Sequence, residues 1–258
     1  CVTRRQRQMC IRDSYISLKK NVMDNKIRLN KFISNSGICS RRDADMHISI
    51  GSVKVNGKVV TEMGYKVNLN DEVRFDGARI YPEKKAYVLL NKPKGFSTTD
   101  SKSKGKTVMD LVSNATNARI KPIGRLGRNT TGLLLFTNDE LIMNKFTNSK
   151  KGVARLFYIE LDKNLKAEHL KQIKEGFKIN GKLIAVEEIS YVENSSKKEI
   201  GLSIKNTGNT IIRTIFDHFK YDIIKLDCVK IANLTKKDIP RGHWKNLTEL
   251  EVSNLKMI

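Results

Sequence analysis

Apolar positions along residues 26–80 recur first at helical and then at strand spacing. In IRLNKFISNS, Leu29, Phe32 and Ile33 fall on one helical face. Gly37 follows, where a helix ends on a residue that tolerates positive φ. Ser40 opens a second helix, with Asp43 three residues later closing a capping box, and Gly51 ends it. VKVNGKVV reads as two strands about an Asn-Gly turn, and EVRFDG supplies a last strand. The local expectation is two short helices followed by a small hairpin sheet.

YPEKK, at residues 81–85, is a polar bridge with a proline in it, and it marks a domain boundary. Beyond it the periodicity alternates. YVLLNKP, LLLFT, RLFYIELD, LIAVEEISYV, EIGLSIK and IIKLDCVKI read as strands. Helices are expected near Val108 to Val112, from Asp139, over AEHLKQIKEG, over TIIRTIFDHFK and from Thr248, where Glu251 completes a capping box. Strands outnumber helices and several are adjacent in sequence, so the fold class is α+β with a mixed, largely antiparallel sheet. The expected organisation is an extension at 1–22, a small domain at 23–80, a linker at 81–86 and a larger domain at 87–258. The first 22 residues lack an initiator Met and a sustained apolar period, whereas Met23 directly precedes the patterned region. They are read as a non-native or disordered basic extension, with a basic RNA-binding arm as the alternative.

The formal charge of +22 points to a polyanionic partner, nucleic acid first. Setting aside residues 1–22, with six basic groups against one acid, lowers the charge from +22 to +17 and leaves the inference standing. Cysteines at 1, 10, 39 and 228 form no C-x-x-C pair and do not cluster with the histidines, so neither a metal site nor a disulfide framework is expected. No apolar run approaches a membrane span and no export signal is apparent. A cytoplasmic, monomeric protein is the expectation.

In the small domain Arg28, Lys31, Arg41 and Arg42 lie on or between the two helices, while Asp71, Glu72 and Asp76 lie at the far end. Such segregation suits one face to phosphates, although surface helices also carry basic residues with no ligand. LNKFISNSGICSRRDAD followed by IGSVKVNGKVV resembles the S4 RNA-binding domain over essentially all of residues 26–80. The resemblance implies that the helix pair, with its S-R-R turn, contacts structured RNA.

YVLLNKPKGFSTT, TVMDLV and IGRLGRNTTGLLLFTND resemble, in order and spacing, the RsuA-type ribosomal RNA pseudouridine synthases, and KLDCVKIANLTKKDIPRGHW continues the likeness. That family isomerises a uridine without metal or organic cofactor, using the aspartate of a G-R-L-D signature. Here the signature is G-R-L-G, with Gly127 at the aspartate position. Phe157 stands where a Tyr packs beneath the target base, and Arg213 remains from a thinned basic motif in which Gly208, Thr210 and Thr214 replace basic residues. Arg125 falls in the loop that enters the RNA stack, and Lys92 and Lys94 of NKPKG read as phosphate contacts. Solvated loop lysines are the alternative for those two. Asp110 and Asp139 sit on helices, away from that loop. The resemblance therefore implies a protein that binds ribosomal RNA or a pre-ribosomal particle with impaired catalysis; the alternative is an active pseudouridine synthase.

Overall fold

The computed structural model describes residues 26–68, 70–98, 105–148, 152–179, 181–205 and 210–258. The expected extension at 1–22, Met23 and Gly208 lie outside the described residues. The chain divides between Lys84 and Lys85 into two compact units, each with a separate hydrophobic core.

The first unit contains β1 (Ile27–Arg28), α1 (Leu29–Asn35), α2 (Arg41–Ser49), β2 (Val53–Val55), β3 (Lys58–Val59), β4 (Lys66–Val67), β5 (Val73–Phe75) and β6 (Ala78–Ile80). Leu29, Phe32 and Ile33 are buried, as their common helical face requires. Ser40 and Asp43 form the reciprocal capping box at the start of α2. Asn56 and Gly57 have φ of 50° and 82°. Two successive left-handed residues match the right-handed twist of the strands they join, and here they turn β2 into β3. The sheet runs β3-β2-β5-β6, while β1 pairs with β4.

The second unit contains β7 (Tyr87–Lys92), α3 (Val108–Val112), β8 (Lys121–Pro122), β9 (Thr131–Thr137), α4 (Glu140–Thr147), β10 (Arg155–Leu161) and α5 (Ala167–Glu175). There follow β11 (Phe177–Ile179), β12 (Lys182–Ile184), β13 (Glu188–Tyr191), β14 (Glu199–Ile204), α6 (Thr210–His218), β15 (Ile223–Ile231), β16 (Leu234–Thr235), β17 (Trp244–Asn246) and α7 (Glu249–Met257). A nine-stranded sheet runs β13-β14-β10-β15-β9-β7-β17, with β16 added beside β15 and β8 beside β9. Its pairs are antiparallel except β9 with β15. Every residue of β9 is buried, which explains the unbroken apolar run LLLF: the strand lies inside the sheet and is covered on both faces.

One expectation fails locally. LIAVEEISYV is not one strand; its start belongs to the β11–β12 hairpin, and β13 begins only at Glu188. Gly176 and Gly181, with φ of 86° and 76°, supply left-handed positions on either side of β11 that an uninterrupted strand would not need. Strands β8, β16 and β17 span two or three residues, too few to show a period of two.

Register organises the site. Phe157 lies opposite Cys228, Cys228 beside Gly132, and Gly132 opposite Lys92. Cross-strand partners share a face, so this row runs along one side of β10, β15, β9 and β7. Tyr158, Asp227 and Thr131 form the adjacent row on the other side.

Candidate functional site

The loop from Ile123 to Thr130 connects β8 to β9 and is fastened from several directions. Gly124 takes φ of 81°. Arg155, buried in β10, donates from Nη2 to the carbonyl of Ile123 at 3.0 Å. The Thr98 hydroxyl accepts from the Leu126 amide at 3.1 Å and donates to the Leu126 carbonyl. Gly95 and Arg128 are tied twice: the Gly95 amide donates to the Arg128 carbonyl at 2.9 Å, and Arg128 Nε donates to the Gly95 carbonyl at 3.1 Å. The Thr130 amide closes a turn on the Gly127 carbonyl at 3.0 Å.

At the centre of this bracing is Lys92. Its side chain is fully buried, and Nζ lies 2.8 Å from the Thr130 carbonyl, 3.1 Å from those of Gly127 and Pro93 and 3.3 Å from that of Arg128. Burial, with the nearby Arg241 charge, pushes the ammonium down to about 8. Such a group is an internal tie for the loop. The expectation that Lys92 is a phosphate contact is corrected: its buried ammonium is engaged by backbone carbonyls inside the unit. Lys94, two residues on, is exposed.

Arg125 and Arg128 are exposed on the same loop, and Leu126 between them is buried. Gly127 is half-buried, and its φ lies outside the left-handed region. No left-handed φ therefore calls for glycine at 127. Phe157 is buried at 1% exposure in the row that includes Lys92, on the face to which Arg155 ties the loop. Arg213 is exposed in the first turns of α6.

Other carboxylates are occupied elsewhere. Asp110 closes the capping box of α3. Asp139 caps α4 through the Leu141 amide and also receives Tyr87 Oη at 2.7 Å and Lys85 Nζ at 2.5 Å. Burial alone would raise its carboxyl, but these donors hold it below the ordinary value. Asp227 lies at the exit of the loop, where it accepts from Thr131 Oγ1 at 2.6 Å and Arg241 Nη1 at 2.9 Å and pairs with Lys236. Its row faces away from Phe157.

In the first unit Arg28, Arg41 and Arg42 are exposed. Partial burial and then the Arg41 charge lower the Lys31 ammonium. Asn30 Nδ2 holds Asp45 at 2.9 and 3.1 Å.

Residues 86–235 match the family described as RNA pseudouridylate synthase, and residues 27–73 match the S4 domain. The chain belongs to the RNA pseudouridylate synthase family. The Dual-specificity RNA pseudouridine synthase RluF of Escherichia coli K12 is 33% identical over 235 residues, covering 90% of this chain and 79% of that protein. The Ribosomal large subunit pseudouridine synthase B of Bacillus subtilis is 34% identical over 235 residues, covering 90% of this chain and 96% of that protein. A crystal structure of a pseudouridylate synthase superposes with a TM-score of 0.61 at 22% identity, over 89% of this chain and 99% of that one, a likeness of fold. This pseudouridylate synthase fold carries no helix, among the described residues, long and apolar enough to cross a membrane. Among those residues there is also no cluster of His, Cys, Asp or Glu suited to a metal.

Spacing alone did not reveal Arg128, Thr98, Arg155 or Arg241 as residues bonded to the 123–130 loop, to its neighbour Gly95 or to Lys92. Each acts through a partner distant in sequence, such as the 28 residues between Thr98 and Leu126. The glycine of NKPKG was the sole hint, since its turn brings residue 95 against residue 128.

Proposed function

We propose that this chain is an RNA pseudouridine synthase acting on a uridine of structured ribosomal RNA, with the S4 unit as an RNA anchor. The observation that carries this reading is the braced 123–130 loop. Lys92, Gly95, Thr98 and Arg155 converge on it and leave Arg125 and Arg128 exposed. The names of the relatives, and matches that extend through both units, support the same reading. Glycosidic cleavage develops positive charge at the sugar, and isomerisation needs a carboxylate to capture or stabilise it.

Gly127 favours a second reading, in which the chain binds ribosomal RNA and does not isomerise it. The position taken for the family aspartate carries no carboxylate, and Asp110, Asp139 and Asp227 are each engaged elsewhere. Mapping pseudouridine after incubating the protein with an unmodified ribosomal RNA transcript separates the two. Product at substoichiometric protein supports the synthase. Binding without product, even at equimolar protein, supports the silent binder. Gly127→Asp, at a position whose φ lies outside the left-handed region, is expected to raise product formation by about tenfold or more if the rest of the site is competent.

A further inference from the structure

Outside the braced loop, the most unusual electrostatic arrangement is around Asp227. This carboxylate is buried at the start of the β9–β15 pairing and serves two cations at once. Arg241 holds one of its oxygens at 2.9 Å and Lys236 the other. Burial would raise the Asp227 carboxyl, but its donors Arg241, Lys236 and Thr131 keep it below the ordinary carboxylate range, so it stays ionised. The charge balance is uneven: one buried anion anchors two cations and leaves one positive charge over. The cation side chains remain 36% and 41% exposed, against 3% for the aspartate between them.

Two cationic heads, one on each oxygen of a single carboxylate, are thereby gathered at one place while both side chains stay partly exposed. Arg241 retains unused N–H groups and Lys236 unused ammonium hydrogens, since each has five and three donors respectively. That geometry matches a phosphodiester, whose two non-bridging oxygens accept from adjacent cations. Its position adds weight. Arg241 Nη1 also lies 3.4 Å from the Lys92 carbonyl, and the Lys92 ammonium holds the Gly127 carbonyl at 3.1 Å. Thr131, bonded to Asp227, is the first residue of β9 after the loop. The cation pair therefore stands where the loop returns to the sheet, on the face opposite Phe157.

We propose that Lys236 and Arg241, presented by Asp227, form a clamp for one RNA backbone phosphate beside the 123–130 loop. The clamp rests on the RNA-binding reading, and its test keeps the two apart. The probe is a short fluorescent hairpin RNA with a uridine-containing internal loop, titrated across a series of salt concentrations. Removing one cation that meets a phosphate should lower the slope of log affinity against log salt by about 0.7–0.9. Lys236→Gln and Arg241→Gln are each expected to show a slope shallower by that much, with affinity weakened several-fold, whereas Arg241→Lys keeps the slope. Thermal melting of each variant identifies any that fails to fold. Should Arg241→Gln do so, Lys236→Gln decides alone, because Arg241 also bonds the Lys92 carbonyl.

Steep salt dependence in the wild type with an unchanged slope in the folded Gln variants overturns the clamp and leaves an internal ion pair. Absence of any salt-dependent binding by the wild type removes the RNA-binding reading itself, and the clamp with it.

Discussion

Lys92 shows how one residue converts an apparently surface motif into an internal support. A buried ammonium is costly, and the cost is offset by the four backbone carbonyls gathered around it. Lys92→Met keeps the volume and removes the donors, and about 2–4 kcal/mol of stability should go with them. The pH dependence has a definite sign. Folding lowers the Lys92 pKa to about 8 from the ordinary 10.5, so between those values the unfolded chain binds more protons than the folded one. The penalty for charging Lys92 in the fold is fully present below pH 8 and is relieved as pH rises towards 10.5. The wild type should therefore gain about 1–2 kcal/mol relative to Lys92→Met between pH 8 and 9.5. Paired urea titrations across that range check it; a difference that stays flat with pH would mean the ammonium is not held in this way.

Among the elements, the β9–β15 pairing leaves no room for a side chain at Gly132. It is the parallel pair of the large sheet and joins strands far apart in sequence. Gly132 makes it possible: φ there is +103°, and a Cβ would stand 2.2 Å from the Cys228 carbonyl oxygen and 2.4 Å from its nitrogen. Both atoms are backbone, so neither can swing aside. Gly132→Ala is expected to cost more than about 3 kcal/mol, read as a lowered melting temperature or loss of soluble protein. Element type was legible wherever periodicity ran long enough, as in Leu29, Phe32 and Ile33 or in the alternation of β10. The capping boxes at Ser40 and Thr248 were equally legible, because their partners lie three residues apart. The register was not. Nothing local in sequence says that Phe157, Cys228, Gly132 and Lys92 share a row, or that Asp227 turns to the other face, since those relations are fixed by pairing across long separations. For the same reason NKPKG read as a surface turn until β7 and its neighbours located Lys92 beneath the loop.

For the whole molecule, the two separate cores predict that binding and stability can be altered independently. Leu29, Phe32 and Ile33 belong to the core of the first unit, while the loop and its supports rest on the core of the second. The net charge of +22 favours attraction to a polyanion in general, and Lys31 and Arg41 place two neighbouring cations on the helix pair. Replacing both by Gln removes these two cations. The variant's second unit, which has its own core, should melt unchanged. The variant's binding should nevertheless weaken, with a salt slope shallower by about 1.4–1.8, the value for two phosphates no longer neutralised. A slope that falls only in proportion to total charge, matched by a control replacing Lys171 and Lys174 on α5, would show that the helix pair acts as part of a diffuse positive field. A drop confined to the Lys31 and Arg41 variant would mark the helix pair as the anchor and leave the 123–130 loop free to act on whatever RNA that anchor delivers.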